Sequence, residues 1–520
     1  MIEINEKKKP MNGANASQKK LLDKISFLLP VFPVIFFFLH NINQFNELIF
    51  TSGVLILFII YSSVSFFLFI CLKKLIKLSS TQSLFLSTLT IIIFLFFGIF
   101  QNLLFGLKKF HFLSNSFFLL FLSFAAISIL FYFIKKKKNH PTMANRFMAL
   151  LFPAVISYEV IVFSITMIRG NSIYAMAKEM TSPVLIEKKS SSEIKPDIYY
   201  IVFDSYTNLP TFKEFWNYDN DIYPFLSSKG FYTVDSAFSN YKYTPFSMSS
   251  IFNLQYIKGA EPYLYHNSSN FLIGQRTYKD NLLFSFLKKE DYQLSIFSLF
   301  ENEELLTGFG FLGVDKPSNW LRRQTMERVY MNPWIAGKIM KFFNWSDKLP
   351  YMIKESMKNF RDYNSLAVKH IFSDCEKNAK SDKTPPQFNY THFMIPHDPY
   401  QVDKNGNFIS SAQPNTNDMN GYLEQVKYCN KLMKEITECL QADTSRKKII
   451  IFQGDHGYRY YNNASVIKQY GALNAIYFYN KDYEGLSKKM SHINTYRIIL
   501  NKFFRTELPI LKDSIIGINK

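Results

Sequence analysis

Three stretches of this chain put carboxylate or imidazole groups directly after dense apolar runs. Asp204 follows the run Ile198 to Phe203. His397, in Pro396-His397-Asp398-Pro399-Tyr400, follows Phe388 to Ile395, a run that itself holds His392. Asp455 and His456 follow Lys448 to Phe452, within Gln453-Gly454-Asp455-His456-Gly457. Asp and His side chains with further oxygen donors suit one divalent metal, zinc or manganese. A fourth stretch, Ser239 to Ser250, supplies hydroxyls. There Thr244 precedes Pro245, and proline is favoured at the first position of a helix, so Thr244 is expected at a helix N-cap. The start of a helix offers free amides and partial positive charge, which favour phosphate. A hydroxyl held there against a metal loses its proton more readily and attacks phosphorus.

Taken singly, each feature has a plainer reading. Asp204 alone suits a turn or a helix cap. Asp455-His456-Gly457 alone suits a satisfied polar turn with a left-handed glycine. His392 alone reads equally as a polar residue on a strand, and Arg459 as a solvated loop arginine. The force of the pattern is its recurrence in one chain, each time at the end of a strand candidate.

The elements that must position these residues can be read from periodicity. Short aromatic and β-branched runs at Ile198–Phe203, Leu294–Ser298, Phe388–Ile395, Lys448–Phe452 and Ala475–Tyr479 read as buried strands. Helical periodicity intervenes at Tyr422–Leu440 and returns at Thr495–Phe504. Strands alternating with helices imply an α/β fold with a largely parallel central sheet. Such sheets gather ligands at the carboxyl ends of their strands.

The first third of the chain differs. Of the 520 residues 48% are hydrophobic and 17% aromatic, and long Phe, Leu and Ile runs concentrate before residue 170. Five stretches have the length a bilayer core requires: Ile25–Gln44, Leu48–Leu72, Leu84–Leu104, Phe112–Ile134 and Phe147–Ile168. Pro30 and Pro33 predict a kink in the first. The +19 net charge gathers in Lys7 to Lys9, Lys73 with Lys74, and Lys135 to Lys138, all flanking apolar runs. That placement orients a membrane protein and argues against a nucleic-acid partner. The loop Asn41–Glu47 carries no Lys or Arg, so the N-terminus is expected inside and the C-terminal domain outside. Lys108 and Lys109 then fall outside, against the trend. Glu159 is an acid in an otherwise apolar span, and the scarcity of such residues favours an anchor over a transporter. None of the four cysteines makes a C-x-x-C pair, which excludes a thiolate zinc or redox motif. Cys429 and Cys439 are compatible with a bridge in an oxidising compartment.

The order Asp204, Thr244-x-x-Ser247-x-x-Ser250, His397-x-Pro399, Asp455-His456-Gly457 resembles the alkaline phosphatase superfamily. It is most similar to the membrane-bound, sulfatase-like branch of lipoteichoic acid synthases and phosphoethanolamine transferases, which also carry five N-terminal spans and an extracytoplasmic catalytic domain. The resemblance implies that Asp204, Thr244, Asp455 and His456 hold the metal and that Thr244 is the catalytic nucleophile. It implies that His397 contacts the substrate phosphate or leaving group, with His392 and Arg459 as further substrate-binding residues. Two departures stand out. Asp204 is followed by Ser205 rather than a second Asp, and no C-x-P-x-R or S-x-P-x-R surrounds Thr244. Threonine cannot become formylglycine, which disfavours the usual sulfatase hydrolysis.

The expected organisation is a cytoplasmic tail (1–24), five transmembrane helices (25–169), a linker (170–195) and an extracytoplasmic sulfatase-like domain (196–520). The expected setting is a bacterial inner or cytoplasmic membrane. The expected reaction moves a phospholipid head-group phosphoester, phosphoethanolamine or phosphoglycerol, to a surface glycan or lipid through a phospho-threonine. The rival readings are a hydrolase or phosphodiesterase with water as acceptor, and a non-catalytic membrane scaffold.

Overall fold

The computed structural model describes residues 21–44, 52–107, 113–136, 141–169, 184–187, 194–257, 278, 281–298, 321–322, 324–331, 349–378, 385–409, 418–459 and 469–516. Lys7 to Lys9, Lys108 and Lys109, and nearly all of the expected linker lie outside these residues. The chain divides into two compact units, residues 1–173 with 315–336, and residues 174–314 with 337–520.

The first unit is helical. Its helices are α1 Phe32–Gln44, α2 Ser52–Lys74, α3 Ser80–Gly106, α4 Ser116–Lys136 and α5 Thr142–Arg169. The last four are long and apolar enough to cross a bilayer; α1 reaches that length only together with Leu21–Leu28, from which it bends by 64°. Pro30 and Pro33 lie at that bend, where they remove amide donors and disfavour a continuous helix. The Ser65 hydroxyl of α2 donates to the carbonyl of Pro30. The basic helix ends lie together: Gln82 Nε2 donates to Ile134 O at 3.1 Å, Asn145 Nδ2 to Thr81 O at 2.8 Å, and Arg146 pairs with Asp23 at 2.9 Å. Further along these helices, near their middles, a short stretch from later in the chain packs on α2 and α3. Met326 N donates to Phe94 O at 2.8 Å, Tyr61 OH to Glu327 Oε1 at 3.0 Å, and Arg328 Nη1 to Gly98 O at 2.7 Å.

The second unit is an α/β layer structure. Its elements are β1 Asp197–Phe203, α6 Leu209–Trp216, α7 Ile222–Ser228, β2 Tyr232–Thr233, α8 Thr244–Phe252, α9 Leu282–Lys289, β3 Gln293–Phe297, α10 Leu349–Asn378, β4 Gln387–Phe393, α11 Met419–Ala442, β5 Lys448–Gly454, β6 Asn474–Phe478 and α12 Ile493–Phe504. The six strands run in the order β2-β6-β5-β1-β4-β3. β1 pairs in parallel with β4 and β5, and β3 with β4, while β6 and β2 are antiparallel additions at one side. Both faces of β1 are covered, which is why it reads as an unbroken apolar run. Large rings fill the space across adjacent strands: Tyr200 stacks on Tyr390 at 5.4 Å and Phe203 on Phe393 at 4.9 Å.

The base of the sheet is tied by a charge pair. Asp197, fully buried at the start of β1, accepts from Arg446 through both carboxylate oxygens and from the amide of Gln387 at 2.8 Å. One side chain thus joins β1 to the entries of β4 and β5. A Cys429–Cys439 bridge is excluded. Both lie on α11, where ten residues of rise separate them by about 15 Å, beyond the reach of a disulfide.

Candidate active site

The register of the three central parallel strands brings the site together. Phe203 is level with Phe393 and with Gly454, so the residues that follow emerge along one edge. Asp204 continues β1 and its amide still bonds Phe393 O at 2.9 Å. The chain then turns at once: Ser205 adopts φ +65°, a left-handed conformation unusual for serine. That turn aims the Ser205 amide at Asp455 Oδ1, 2.8 Å away. The amide of His456 also bonds Asp455 Oδ1, at 2.9 Å. One oxygen of Asp455 is therefore fixed by backbone, and Oδ2 is buried with no hydrogen-bond partner. Gly454 permits this crossing, because a Cβ there would stand 2.2 Å from Tyr206 O.

His456 is fully buried. Its Nδ1 lies 3.0 Å from Gly457 O, so Nδ1–H donates to that carbonyl and leaves the Nε2 lone pair facing inward. Nε2 lies 3.3 Å from Asp455 Oδ2, 3.6 Å from Asp204 Oδ1 and 3.4 Å from Thr244 Oγ1. His392, on β4, presents Nε2 3.6 Å from Asp204 Oδ2. That Nε2 is buried without a hydrogen-bond partner, while Nδ1 meets Tyr390 OH at 2.8 Å. Asp204, His392 and Asp455 offer ligand atoms that all lie within 4.8 Å of one another.

Thr244 is the first residue of α8, one position further in than expected. Tyr243 occupies the N-cap and makes no side-chain cap bond. The Thr244 hydroxyl does not cap the helix. It lies 3.4 Å from both Asp204 Oδ2 and His456 Nε2. Ser247, one turn on, donates to Asp455 O at 2.5 Å and locks α8 against the end of β5, while Ser250 bonds its own helix at Ser247 O.

His397 flanks this cluster between two cis peptide bonds, Ile395-Pro396 and Asp398-Pro399. Its ring lies 6.3 Å from that of His456. Nδ1 is 3.0 Å from Asp398 Oδ1, and Nε2 is 2.7 Å from Arg459 Nη2. Arg459 also donates to Lys242 O at 3.1 Å and lies over the Tyr243 ring, so it is held in place rather than solvated. The expected residues Asp204, Thr244, His392, His397, Asp455, His456 and Arg459 thus meet at one place.

Electrostatics divide the site. For Asp204 burial favours the neutral acid, but the neighbouring His397, His392 and His456 outweigh it and hold the carboxyl well below its usual range. Burial and the charge of Asp204 push Asp455 up to about 6. Burial and the nearby Arg459 keep His456 well below the usual histidine range, hence neutral. For His397 burial opposes charge, yet Asp398 and Asp204 prevail and raise it to about 9. A protonated His397 beside the Arg459 guanidinium places two cations in contact, an arrangement that an anion between them relieves.

The donor set fits a divalent metal. Two buried acceptor atoms, His392 Nε2 and Asp455 Oδ2, lack partners and face the same carboxylate. Neutral imidazole and carboxylate are the ligand forms zinc and manganese take. Ser205, Tyr390, Asp398 and Tyr243 support the site without having been expected to from their residue types or spacing. Ser205 and Asp398 adjoin expected residues directly, but their roles depend on turn geometry that adjacency does not encode.

Among solved structures, the chain is similar to the C-terminal periplasmic domain of phosphoethanolamine transferase EptC from Campylobacter jejuni. Identity is 14%, over 62% of this chain and 94% of that one, with a TM-score of 0.36. It is also similar to the soluble domain of lipooligosaccharide phosphoethanolamine transferase A from Neisseria meningitidis, at 11% identity over 62% and 91%, TM-score 0.34. A third is the lipoteichoic acid synthase LtaP from Listeria monocytogenes, at 11% identity over 66% and 80%, TM-score 0.35. No curated protein matches in sequence. The family model described as Sulfatase matches residues 196–495, more than half of the 520-residue chain, and the chain therefore belongs to the sulfatase family of enzymes.

Proposed function

We propose that the protein transfers a phosphoester from a membrane phospholipid to a surface glycan or lipid, with Thr244 as the covalent carrier. The observation that carries this reading is the Thr244 hydroxyl at the first turn of α8, 3.4 Å from both Asp204 and His456 and free of any capping bond. Asp204, Asp455 and His456 would hold one divalent metal, zinc or manganese, with Thr244 and His392 beside it. When bound, the metal supplies Lewis-acid charge that favours an ionised hydroxyl and a crowded anionic phosphorus.

The chain's own residues do the rest. The Thr244 oxygen forms a bond to phosphorus as the bond from phosphorus to the diacylglycerol oxygen breaks. Asp398 and Asp204 favour the charged form of His397, and once an anionic phosphoryl group draws Arg459 away from Nε2, that nitrogen can carry a proton and give it to the leaving oxygen. Arg459 and the α8 amides bind the non-reacting phosphoryl oxygens. In the second step an acceptor hydroxyl attacks the phospho-threonine, returns a proton to His397 and frees Thr244.

The anchor spans 25–169 and the catalytic domain 196–520 in this reading. The basic ends of α2 and α4 lie at one end of the bundle, away from the C-terminal end of α5. That distribution of charge supports a catalytic domain on the outer face of a bacterial inner or cytoplasmic membrane, where a lipid donor makes a membrane anchor useful. Incubation with membrane lipids followed by mass spectrometry of the Thr244 peptide tests the proposal. An adduct of head-group phosphate mass is expected, and an unmodified Thr244 under turnover conditions would remove the covalent step. Release of the label to water alone would favour the hydrolase reading.

A further inference from the structure

Glu159 is an acid inside α5 with only 6% of its surface exposed. Ionisable groups at membrane depth are costly and are retained where they bind something. His40 Nδ1 lies 2.8 Å from Glu159 Oε1. Asn43 Nδ2 donates to the Glu159 carboxylate and also, at 2.8 Å, to the Glu159 backbone carbonyl. Among the described residues His40 is the one ion-pair partner of Glu159, and neither Lys nor Arg pairs with it.

The donor and acceptor inventory of this cluster does not close. The Asn43 amide donors and the His40 Nδ1–H are spent on Glu159. What remains is a set of acceptors: Asn43 Oδ1, buried with no partner, and the remaining lone pairs of the Glu159 carboxylate. A contact serving only to join α1 to α5 has no need of a buried acceptor left unpaired. An acceptor-rich pocket selects a cation with several N–H donors, and a primary ammonium has three.

Its position suits a lipid head group. His40 and Asn43 lie close to the C-terminal end of α1, and Glu159 lies nine residues, about 14 Å of helix rise, before the apolar stretch of α5 ends at Ile168. This is the end of the bundle from which the chain runs on to β1. The site is not sealed, since the His40 side chain is 33% exposed where it stacks on Phe36. We propose that His40, Asn43 and Glu159 form a site in the anchor that binds the primary ammonium head group of a membrane phospholipid. The site supplies the donor if the transfer reading holds, and it selects an amino head group over glycerol.

The test uses full-length protein carrying Thr244→Ala, so that bound lipid is not consumed. Native mass spectrometry follows titration with phosphatidylethanolamine, phosphatidylcholine or phosphatidylglycerol of matched acyl chains. The ethanolamine lipid should bind about tenfold more tightly than either other lipid, the scale of one charge-assisted hydrogen bond. Glu159→Gln should erase that preference while leaving the weaker lipids within twofold. Should Glu159→Gln lower the thermal midpoint, Asn43→Ala provides the same readout with the carboxylate kept. Equal binding of the trimethylated choline lipid overturns the proposal, because N–H donors would then not be read. A preference that survives both substitutions overturns it as well. An ethanolamine preference that depends on Glu159, with Thr244 never labelled in the unsubstituted protein, upholds this site and removes the transfer reading. Labelling of Thr244 without any preference does the reverse.

Discussion

His392 Nε2 stands 3.6 Å from Asp204 Oδ2 and, although buried, bonds to nothing. The sequence suggests a substrate contact or a plain strand residue for His392; in the structure its ring also stands within ligand distance of the cluster Asp204 and Asp455, which could hold a metal ion. His392→Ala should therefore weaken zinc binding by at least tenfold, the scale seen even for groups that merely support ligands. Metal content and calorimetric titration of the purified protein measure this. Unchanged affinity would return His392 to a substrate role.

Thr244→Ala should reduce activity by several orders of magnitude, because only binding and electrostatic effects would remain. Since the Thr244 hydroxyl caps no helix, its loss should cost about 1 kcal/mol or less of stability. Thr244→Ser keeps the hydroxyl but loses rotamer restraint, so partial activity is expected. Ser250→Ala should be nearly silent. Ser247→Ala should fall between, because its hydroxyl holds Asp455 O and thereby steadies the Asp455 carboxylate. A kinetic ranking with Ser247→Ala below Thr244→Ala would mean that the reacting hydroxyl is Ser247.

Metal binding should stabilise the protein more at pH 7.5 than at pH 5. Asp455 is pushed up to about 6, above the ordinary carboxylate value of about 3.9 in an unfolded chain. Its protonation therefore stabilises the metal-free fold at low pH, and that stabilisation is lost as pH rises through about 6. Above this value the Asp204 and Asp455 charges repel, and a cation relieves them. Thermal unfolding with and without zinc at the two pH values reports the difference. A larger zinc-induced shift at pH 5 would contradict the assignment of Asp455 as a ligand.

Asp197→Ala should destabilise the catalytic unit by roughly 3–5 kcal/mol, since it strands Arg446 beside an emptied buried site. Replacing both partners, Asp197→Asn with Arg446→Met, should recover part of the loss. Chemical denaturation of the purified full-length protein followed by Trp fluorescence measures both. Equal losses in the single and double variants would show that the charge pair itself contributes little.

Much of the sheet was legible because its central strands are covered on both faces and so read as unbroken apolar runs. β1, β3, β4, β5 and β6 all match the expected runs, and Pro30 with Pro33 announced the bend before α1. What failed to show was short or geometric. β2 has two residues, too few for any period. His392 lies among Asn389, Tyr390 and Thr391, so alternation along β4 does not separate the face toward Asp204 from the other. Cys429 and Cys439, by contrast, both fall within the expected helix Tyr422–Leu440, so the sequence already held the reason that α11 keeps them apart. The docking of Glu327 and Arg328 on α2 and α3 depends on contacts more than 200 residues distant in sequence.

The Ser205 amide and the Asp455 carboxylate bond across 250 residues of sequence. A chain emerging from its N-terminus exposes Asp204 and Thr244 long before Asp455 and His456 exist to meet them. No fragment ending before β5 can assemble the cluster, because that strand, inserted beside β1, completes it. Assembly of the cluster is thus a late event in maturation, and domains built on such distant pairings fold slowly. A metal offered to the growing chain before β5 exists finds only scattered side chains, so the site forms in one step rather than by degrees.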